Sequence, residues 1–448
     1  MGCVTENVKD VNVEDRHEEV DMAASMSELR RQNSRALLRH ALGAEHFTAA
    51  EAMAATGLTR ATVLGLCDEL TAAGWLEEID DSRAAGLTRR GRPARRHRLR
   101  ERAGILVGVD AGRSRFRVIA ADLRGTALAT AHRDLSGREM DRTLRIATVQ
   151  ELISEVLAPL DLVGPPLLTV VGIPAPVDTR GISPVDVSEF WRLMNPDFPA
   201  HLDGRVRVEN DANLTALAEH ARHHSENMAA LLVGERIGAG LIVDGRLLYG
   251  ARGGAGEMRF LDAVLQDGAG AEGIGFLARR WALEALEAGE DSPALAGLDP
   301  ERLTAVEVFA AAADGDPLAS AVLDRLGERV ARIAATLVSL LGIERVVVAG
   351  AVAEAIGPVL ERARATLPAI ARAPFPDLVA NALGSDVVVH GALQLALDRL
   401  HRDPLELLAP TIARDETGAG PGTATPPRSA PDAGPTADPT PPERGTPA

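Results

Sequence analysis

Between Ile105 and about Leu400, short apolar segments alternate with longer stretches rich in Ala and Leu. Strand-like segments that alternate with helix-like ones bury their apolar faces against each other, so this region is expected to be an α/β fold. The whole chain, at 448 residues, has room for two or three domains. Residues 1–26 are polar and acidic without sustained periodicity and are expected to be a disordered tail. Residues 27–102 carry a compact helical pattern, and residues 103–400 make up the α/β part. Residues 401–448 are expected to be a second tail, in which Arg414–Ala448 holds nine of the 27 prolines and cannot bury a core. No unbroken run of about 18 apolar residues exists, which argues against a membrane span. The N-terminus, with Glu14, Asp15, Glu18, Glu19 and Asp21, is unlike a secretory signal. Two cysteines, Cys3 and Cys67, exclude a disulfide framework and a cysteine-based zinc site, so a cytoplasmic protein is expected.

The net charge of −16, taken alone, argues against a nucleic-acid partner. Its distribution reverses that reading. Residues 27–102 carry 14 basic and 10 acidic side chains, and within them residues 83–102 hold nine arginines against one acid, Glu101. A concentrated basic patch on an acidic protein is an electrostatic footprint for DNA.

The helical pattern around this patch has an order. A first helix is expected from Ser27 to about Leu42, with Leu29, Ala36, Leu37, His40 and Ala41 sharing a face. Thr48-Ala-Ala-Glu51 is a capping box opening a second helix that Thr56-Gly57-Leu58 ends. Thr59 can cap a third, Arg60–Ala73, with Val63, Leu66, Cys67 and Leu70 on its buried stripe. Two short helices joined by a Gly-containing turn are the helix-turn-helix plan, in which Thr59, Arg60 and Thr62 would reach base edges in the major groove. Trp75–Ile79 then reads as a strand and Arg98–Arg100 as its return, with Arg89, Arg90, Gly91 and Arg92 in the hairpin between them as a basic wing for phosphates or a minor groove. A three-helix dimerisation bundle with a solvated arginine loop is the alternative. The ordered set favours a winged helix-turn-helix that binds double-stranded operator DNA.

In the α/β part, Ile105–Asp110 is an apolar strand ending in an acid and followed by Ala111-Gly112-Arg113-Ser114, a hairpin of the kind that brings amides and a carboxylate to phosphates. Further along stand Gly172-Ile-Pro-Ala-Pro-Val-Asp178, then Glu209-Asn210-Asp211-Ala212-Asn213 where a strand meets a helix. Asn and Asp there can hold hydroxyl groups, and the Asp can take a proton from one of them. Ile237-Gly238-Ala239-Gly240-Leu241 and Gly253-Gly254-Ala255-Gly256-Glu257 follow, glycines allowing close ligand approach and Glu257 offering another acceptor.

As an ordered set these motifs resemble the ROK family, which groups bacterial transcriptional repressors with sugar kinases; the likeness spans about residues 27–400 and includes the winged helix of the repressor branch. The resemblance implies a two-lobed, actin-like (ribonuclease-H-like) sugar-kinase fold behind the winged helix. It places Asn210, Asp211 and Glu257 at a sugar, with Asp211 where the kinases have their base. It makes Asp110, Gly112, Gly238, Gly240 and Gly350 the remnants of a nucleotide site. The kinases' Asp-x-Gly-Gly-Thr reads here Asp110-Ala-Gly-Arg113-Ser, and their Gly-Thr-Gly reads Gly234-Glu235-Arg236. A carboxylate at 235 facing ATP phosphates would cost several kcal/mol at a few ångströms in a partly desolvated site. The Gly-Gly on the nucleotide side is Ala349-Gly350-Ala351. The family's zinc-binding His is replaced by Phe260 and its Cys-rich loop is missing. His201, His220, His223, His224 and His390 are better read as scattered surface or helix residues, so no metal and no cofactor are expected.

The expected function is therefore a sugar-responsive transcriptional regulator, a repressor, with a degenerate kinase-like domain. A sugar or sugar-phosphate effector and a homodimer or homotetramer are expected, and kinase catalysis is not. The competing readings are an ATP-dependent sugar kinase that also carries a DNA-binding domain, and a constitutive DNA-binding protein whose second domain only oligomerises.

Overall fold

The computed structural model describes residues 13–79, 95–160, 162, 164–184, 188–258, 262–350 and 352–408, without the side chains of residues 13–26. The wing residues Arg89, Arg90, Gly91 and Arg92, the zinc-position residue Phe260, and Ala351 lie outside the described residues, as does the Pro-rich segment from residue 409 onward.

The N-terminal unit begins with α1 (Val13–Gly43). This helix starts well before Ser27 and takes in residues 13–26, which composition assigned to disorder. No Gly or Pro occurs between Val13 and Leu42 to stop it. Its buried face is Leu37, Leu38, Ala41 and Leu42, whereas Leu29, expected on that face, is 58% exposed. A two-residue strand β1 (Phe47–Thr48), too short to show a period, leads into α2 (Ala49–Thr56). Thr48 and Glu51 form the capping box, and Gly57 ends the helix at φ 72. Then α3 (Arg60–Ala72) is capped by Thr59 and buries the expected Val63, Leu66, Cys67 and Leu70. Strands β2 (Leu76–Ile79) and β3 (Arg96–Leu99) pair antiparallel with Leu76 opposite Leu99, and β1 adds to β3 with Phe47 opposite His97. Three helices with a hairpin and an added short strand make the winged helix-turn-helix.

The first lobe contains β4 (Leu106–Ala111), β5 (Arg115–Ala121), β6 (Ala127–Asp134), helix α4 (Arg142–Leu157), β7 (Leu168–Ile173), helix α5 (Glu189–Met194) and β8 (Val206–Asn210). Its sheet runs β6-β5-β4-β7-β8, with β4, β5 and β6 antiparallel and β4, β7 and β8 parallel. Helix α6 (Asp211–His223) crosses to the second lobe, which holds β9 (Met228–Val233), β10 (Ile237–Val243) and β11 (Arg246–Leu247). There follow α7 (Asp262–Leu265), α8 (Ile274–Glu287), α9 (Ala305–Ala313) and α10 (Pro317–Leu341). Strand β12 (Arg345–Gly350), α11 (Gly357–Ile370) and β13 (Asp377–Ala380) complete it. That sheet runs β11-β10-β9-β12-β13, with the same alternation of antiparallel and parallel neighbours. The repeated strand order is the duplicated, two-lobed ribonuclease-H-like architecture.

The last helices belong to the fold and not to a tail. Helix α12 (Val387–Arg402) returns to pack on β4 and α6, and α13 (Pro404–Leu408) buries Leu405, Leu407 and Leu408 in the core that α1 shares. The boundary expected at Leu400 is therefore too early, because three leucines just beyond it cap the junction with the winged helix. Arg35 donates two hydrogen bonds to Asp403 at 3.1 and 3.0 Å, and Arg39 donates to the carbonyls of His401, at 3.1 Å, and Arg402. Arg124 donates to the carbonyls of Leu42 at 3.1 Å and Ala44 at 2.7 Å. The winged helix is thus fastened to the C-terminal end of α12 and the β5–β6 turn. Among the described residues no helix is long and apolar enough to cross a membrane.

Candidate functional site

The sequence-predicted residues fall into two places. Thr59, Arg60 and Thr62 form the start of α3. Thr59 Oγ1 accepts from the Thr62 amide at 3.3 Å and lies 2.9 Å from Thr62 Oγ1, so both hydroxyls build the cap. Thr59 and Arg60 are exposed and Thr62 is half-buried. Arg60 has no ion pair among the described residues, while Arg98 pairs with Glu77 across the hairpin and Arg95 stands 3.5 Å from Glu78. Arg60 is thus an unpaired guanidinium at a helix start, where the helix dipole also favours an anion.

The second place is the cleft between the lobes, where three carboxylates from different elements converge. Asp110 stands near the end of β4, Asp211 opens α6, and Glu257 bridges to Gly238 on β10. Burial raises Asp110 from 3.8 to about 7, against the pull of Arg117 and Arg145. Burial also raises Asp211, to about 8, reinforced by repulsion from Asp110 and Glu257. Asp211 therefore keeps its proton near neutrality and can both donate to and accept from a hydroxyl group. Asn210 caps α6, its Oδ1 accepting from the Asn213 amide at 3.1 Å, and its Nδ2 donates to the Ala175 carbonyl at 3.1 Å. Gly238 and Gly240 lie on β10, and Gly240 is set by packing: a Cβ there would come within 2.1 Å of the Ala212 carbonyl on α6. Gly112 sits in the β4–β5 turn with its amide bonded to the Arg115 carbonyl at 3.0 Å, and Gly350 ends β12 at φ 106.

Two groups that sequence reasoning missed hold this cleft in shape. Arg145 is fully buried beneath the first loop and donates to the carbonyls of Gly112 and Ala111 at 2.7 Å each and of Met194 at 3.3 Å. Its signal was an arginine on the apolar stripe of α4 that continues through Thr148, Val149, Leu152 and Val156. Glu209, also fully buried, accepts from Arg207 at 3.1 Å, the Tyr249 hydroxyl at 2.8 Å, the Asn210 amide at 3.0 Å and Asn213 Nδ2 at 3.0 Å. Across the mouth, Arg113 of the first loop forms an ion pair with Glu235 of the second. Among the described residues no group of three His, Cys, Asp or Glu side chains is arranged to hold a metal ion.

The raised carboxyls make stability depend on pH. Between the ordinary carboxylate range and about 7 to 8 the folded chain binds protons that the unfolded chain has released. Their contribution is complete below about pH 4 and is lost as pH rises through about 7 and 8. Thermal unfolding of the ligand-free protein is expected to show a midpoint that falls between about pH 5 and pH 8.5, with a shallower fall in Asp211→Asn. An identical slope in that variant would contradict the placement of Asp211.

Residues 106–399 match the ROK family. The chain is 32% identical over 231 residues to the "Bifunctional enzyme NanE/NanK" of Brucella melitensis, a match that covers 46% of this chain and 41% of the enzyme. It is 25% identical over 248 residues to the xylose repressor of Bacillus subtilis, covering 52% of this chain and 61% of the repressor. The match therefore spans less than half the length of the Brucella enzyme. Among solved structures, a ROK family transcriptional regulator described as a homolog of the Escherichia coli MLC protein aligns over 85% of this chain and 99% of its own, with a TM-score of 0.66 at 21% identity. A ROK glucokinase from Streptomyces griseus, in complex with glucose and AMPPNP, aligns over 65% of this chain and 99% of its own, with a TM-score of 0.52 at 22% identity. These likenesses establish the fold, and the larger share aligned by the regulator extends beyond the two lobes.

Proposed function

This chain belongs to the ROK family, and from that premise we propose that it is a DNA-binding transcriptional regulator, a repressor, whose kinase-like lobes sense a sugar or sugar phosphate. The observation that carries the reading is the winged helix-turn-helix itself, with Arg60 exposed at the start of α3 and α1 fastened to the end of α12. An effector held by Asn210, Asp211 and Glu257 would draw the lobes together. Because α6 and α12 pack on each other, closure would shift the seat of the winged helix. Regulation then requires the effector to bind one arrangement better than the other. A homodimer or homotetramer presenting two winged helices suits a two-fold operator, with the wing at Arg89, Arg90, Gly91 and Arg92 completing each half-site.

The nucleotide side is a poor fit for ATP. Arg113 and Glu235 neutralise each other across the position where phosphates would enter, and admitting a triphosphate means breaking that pair and leaving a carboxylate against like charge. Asp110, Gly112, Gly238, Gly240 and Gly350 thus serve as scaffold, and no cofactor is assigned. Genome-wide mapping of bound sites is expected to give discrete operators, and incubation with ATP, magnesium and a hexose panel is expected to give no turnover. Phosphorylation abolished by Asp211→Asn would replace the sensor-only reading with that of a sugar kinase carrying a DNA-binding domain, the reading that the position of Asp211 at the start of α6 favours.

A further inference from the structure

A second cleft, of about 870 Å³, has a lining that includes none of Asp110, Asn210, Asp211 and Glu257. It lies between the C-terminal end of α6, the β10–β11 turn and the last turns of α12. Arg207, Arg246, Arg399 and Arg402 line it together with His220 and His224, and Asp398, which accepts from Gln394 at 2.8 Å, is its one carboxylate. Arg246, Arg399 and Arg402 have no carboxylate within ion-pair distance among the described residues. Arg207, the fourth guanidinium of the lining, is paired with the buried Glu209, so the three others leave their charge uncompensated by a carboxylate in this cleft. The helix dipole accounts for cations at the end of α12, but Arg246 opens β11 and Arg207 lies on β8. Arg207 is largely buried, and its Nε has no hydrogen-bond partner.

We propose that this cleft is a second ligand site, for a small molecule carrying a phosphate monoester, separate from the Asn210, Asp211 and Glu257 cluster. Guanidinium groups that approach from three elements match the several oxygens of a phosphate, and the volume suits a sugar-sized body attached to it. The site is wired to its surroundings at both ends. Arg207 and Tyr249, on its wall, share the buried Glu209, whose other oxygen holds the Asn210 amide and Asn213. A phosphate drawing on Arg207 therefore competes with Glu209 and acts on the residue that caps α6. At the other end, Arg399 and Arg402 belong to the turn whose carbonyls hold Arg39 of α1.

Calorimetric titration of the full chain at 0.15 M salt with glucose 6-phosphate and with inorganic phosphate tests the site, and needs no DNA, so its failure is distinct from failure of the regulator reading. Both probes are expected to bind and to compete, Arg246→Ala with Arg399→Ala to weaken both by about tenfold or more, and Asp211→Asn to leave inorganic phosphate binding unchanged. Should the double variant unfold, the exposed Arg246→Ala alone carries the test, with an expected loss of about tenfold. Absence of binding to both probes, wild-type affinity in the folded arginine variant, or loss of phosphate binding in Asp211→Asn would each overturn the proposal.

Discussion

Replacing Glu209 by leucine is expected to destabilise the ligand domain by about 3–5 kcal/mol, the largest stability effect expected of any single side chain in the cleft. The carboxylate is fully buried and receives four donors, from Arg207, Tyr249, Asn210 and Asn213. A leucine of similar size fills the space but leaves the Arg207 guanidinium desolvated without its counter-charge. It also leaves the Asn210 amide and one Asn213 proton without an acceptor. An unmet buried donor costs about 1–3 kcal/mol and an unpaired charge more, so the loss exceeds that of a cavity of the same volume. In a unit of this size each kcal/mol moves the unfolding midpoint by about 2–4 °C, so a fall of about 6–20 °C is expected by calorimetry. Glu209→Gln keeps one oxygen for Asn210 and Asn213 but turns an NH2 toward Arg207 and Tyr249. The Arg207 bond and counter-charge are then lost while the Tyr249 hydroxyl can rotate to accept, so it should fall between leucine and the native chain. A leucine variant within about 1 kcal/mol of the native protein would mean that the four donors find water instead, and the hub would lose its assigned role.

The elements whose cause is local were legible in the sequence. The capping box at Thr48 and Glu51 needs only four residues to be recognised, and the buried stripe of α3 follows from its spacing. Strand β1 was not legible, because two residues carry no period and Phe47 and Thr48 are extended only through pairing with β3. The end of the fold was misplaced for a related reason. Pro404–Leu408 is one turn of helix beside a Pro-rich sequence, and only its packing against α1 and α12 shows that its leucines are interior. The two-lobed architecture came from family resemblance, and the strand order from the structure, since composition and spacing do not reveal which strands are neighbours. In the cleft, Asp110, Asp211 and Glu257 stood out as acids at strand and helix ends. Arg145 did not, because its partners Ala111, Gly112 and Met194 are far along the chain, and Glu209 did not, because its full burial depends on packing that the sequence does not display. In the sequence Arg113 and Glu235 are two separate departures from the kinase pattern, 122 residues apart. In the folded chain they are one feature, an ion pair.

Changing Arg60 to alanine is expected to lower affinity for operator DNA by about 1–3 kcal/mol, roughly five- to 150-fold, the largest binding effect expected from one residue of the described winged helix. Arg60 is exposed and bears none of the core of α3, which rests on Val63, Leu66, Cys67 and Leu70. Its removal should therefore change unfolding free energy by no more than about 0.5 kcal/mol, so that an affinity loss is assignable to the interface. The way the loss is distributed identifies the contact. If Arg60 reads a base, the loss is confined to operator sequence and its discrimination at one position relaxes. If it meets a phosphate, affinity falls on all sequences alike and the salt dependence of binding flattens by about one ion. Arg133→Ala is the control, because that side chain lies on β6 beside Glu151 and Glu155 in the first lobe, away from α3. Titration of labelled operator by anisotropy across a range of salt separates these cases. Unaltered affinity of Arg60→Ala for genomic fragments at low salt would remove α3 from the groove, and the docked N-terminal unit would then have to be read as an assembly module.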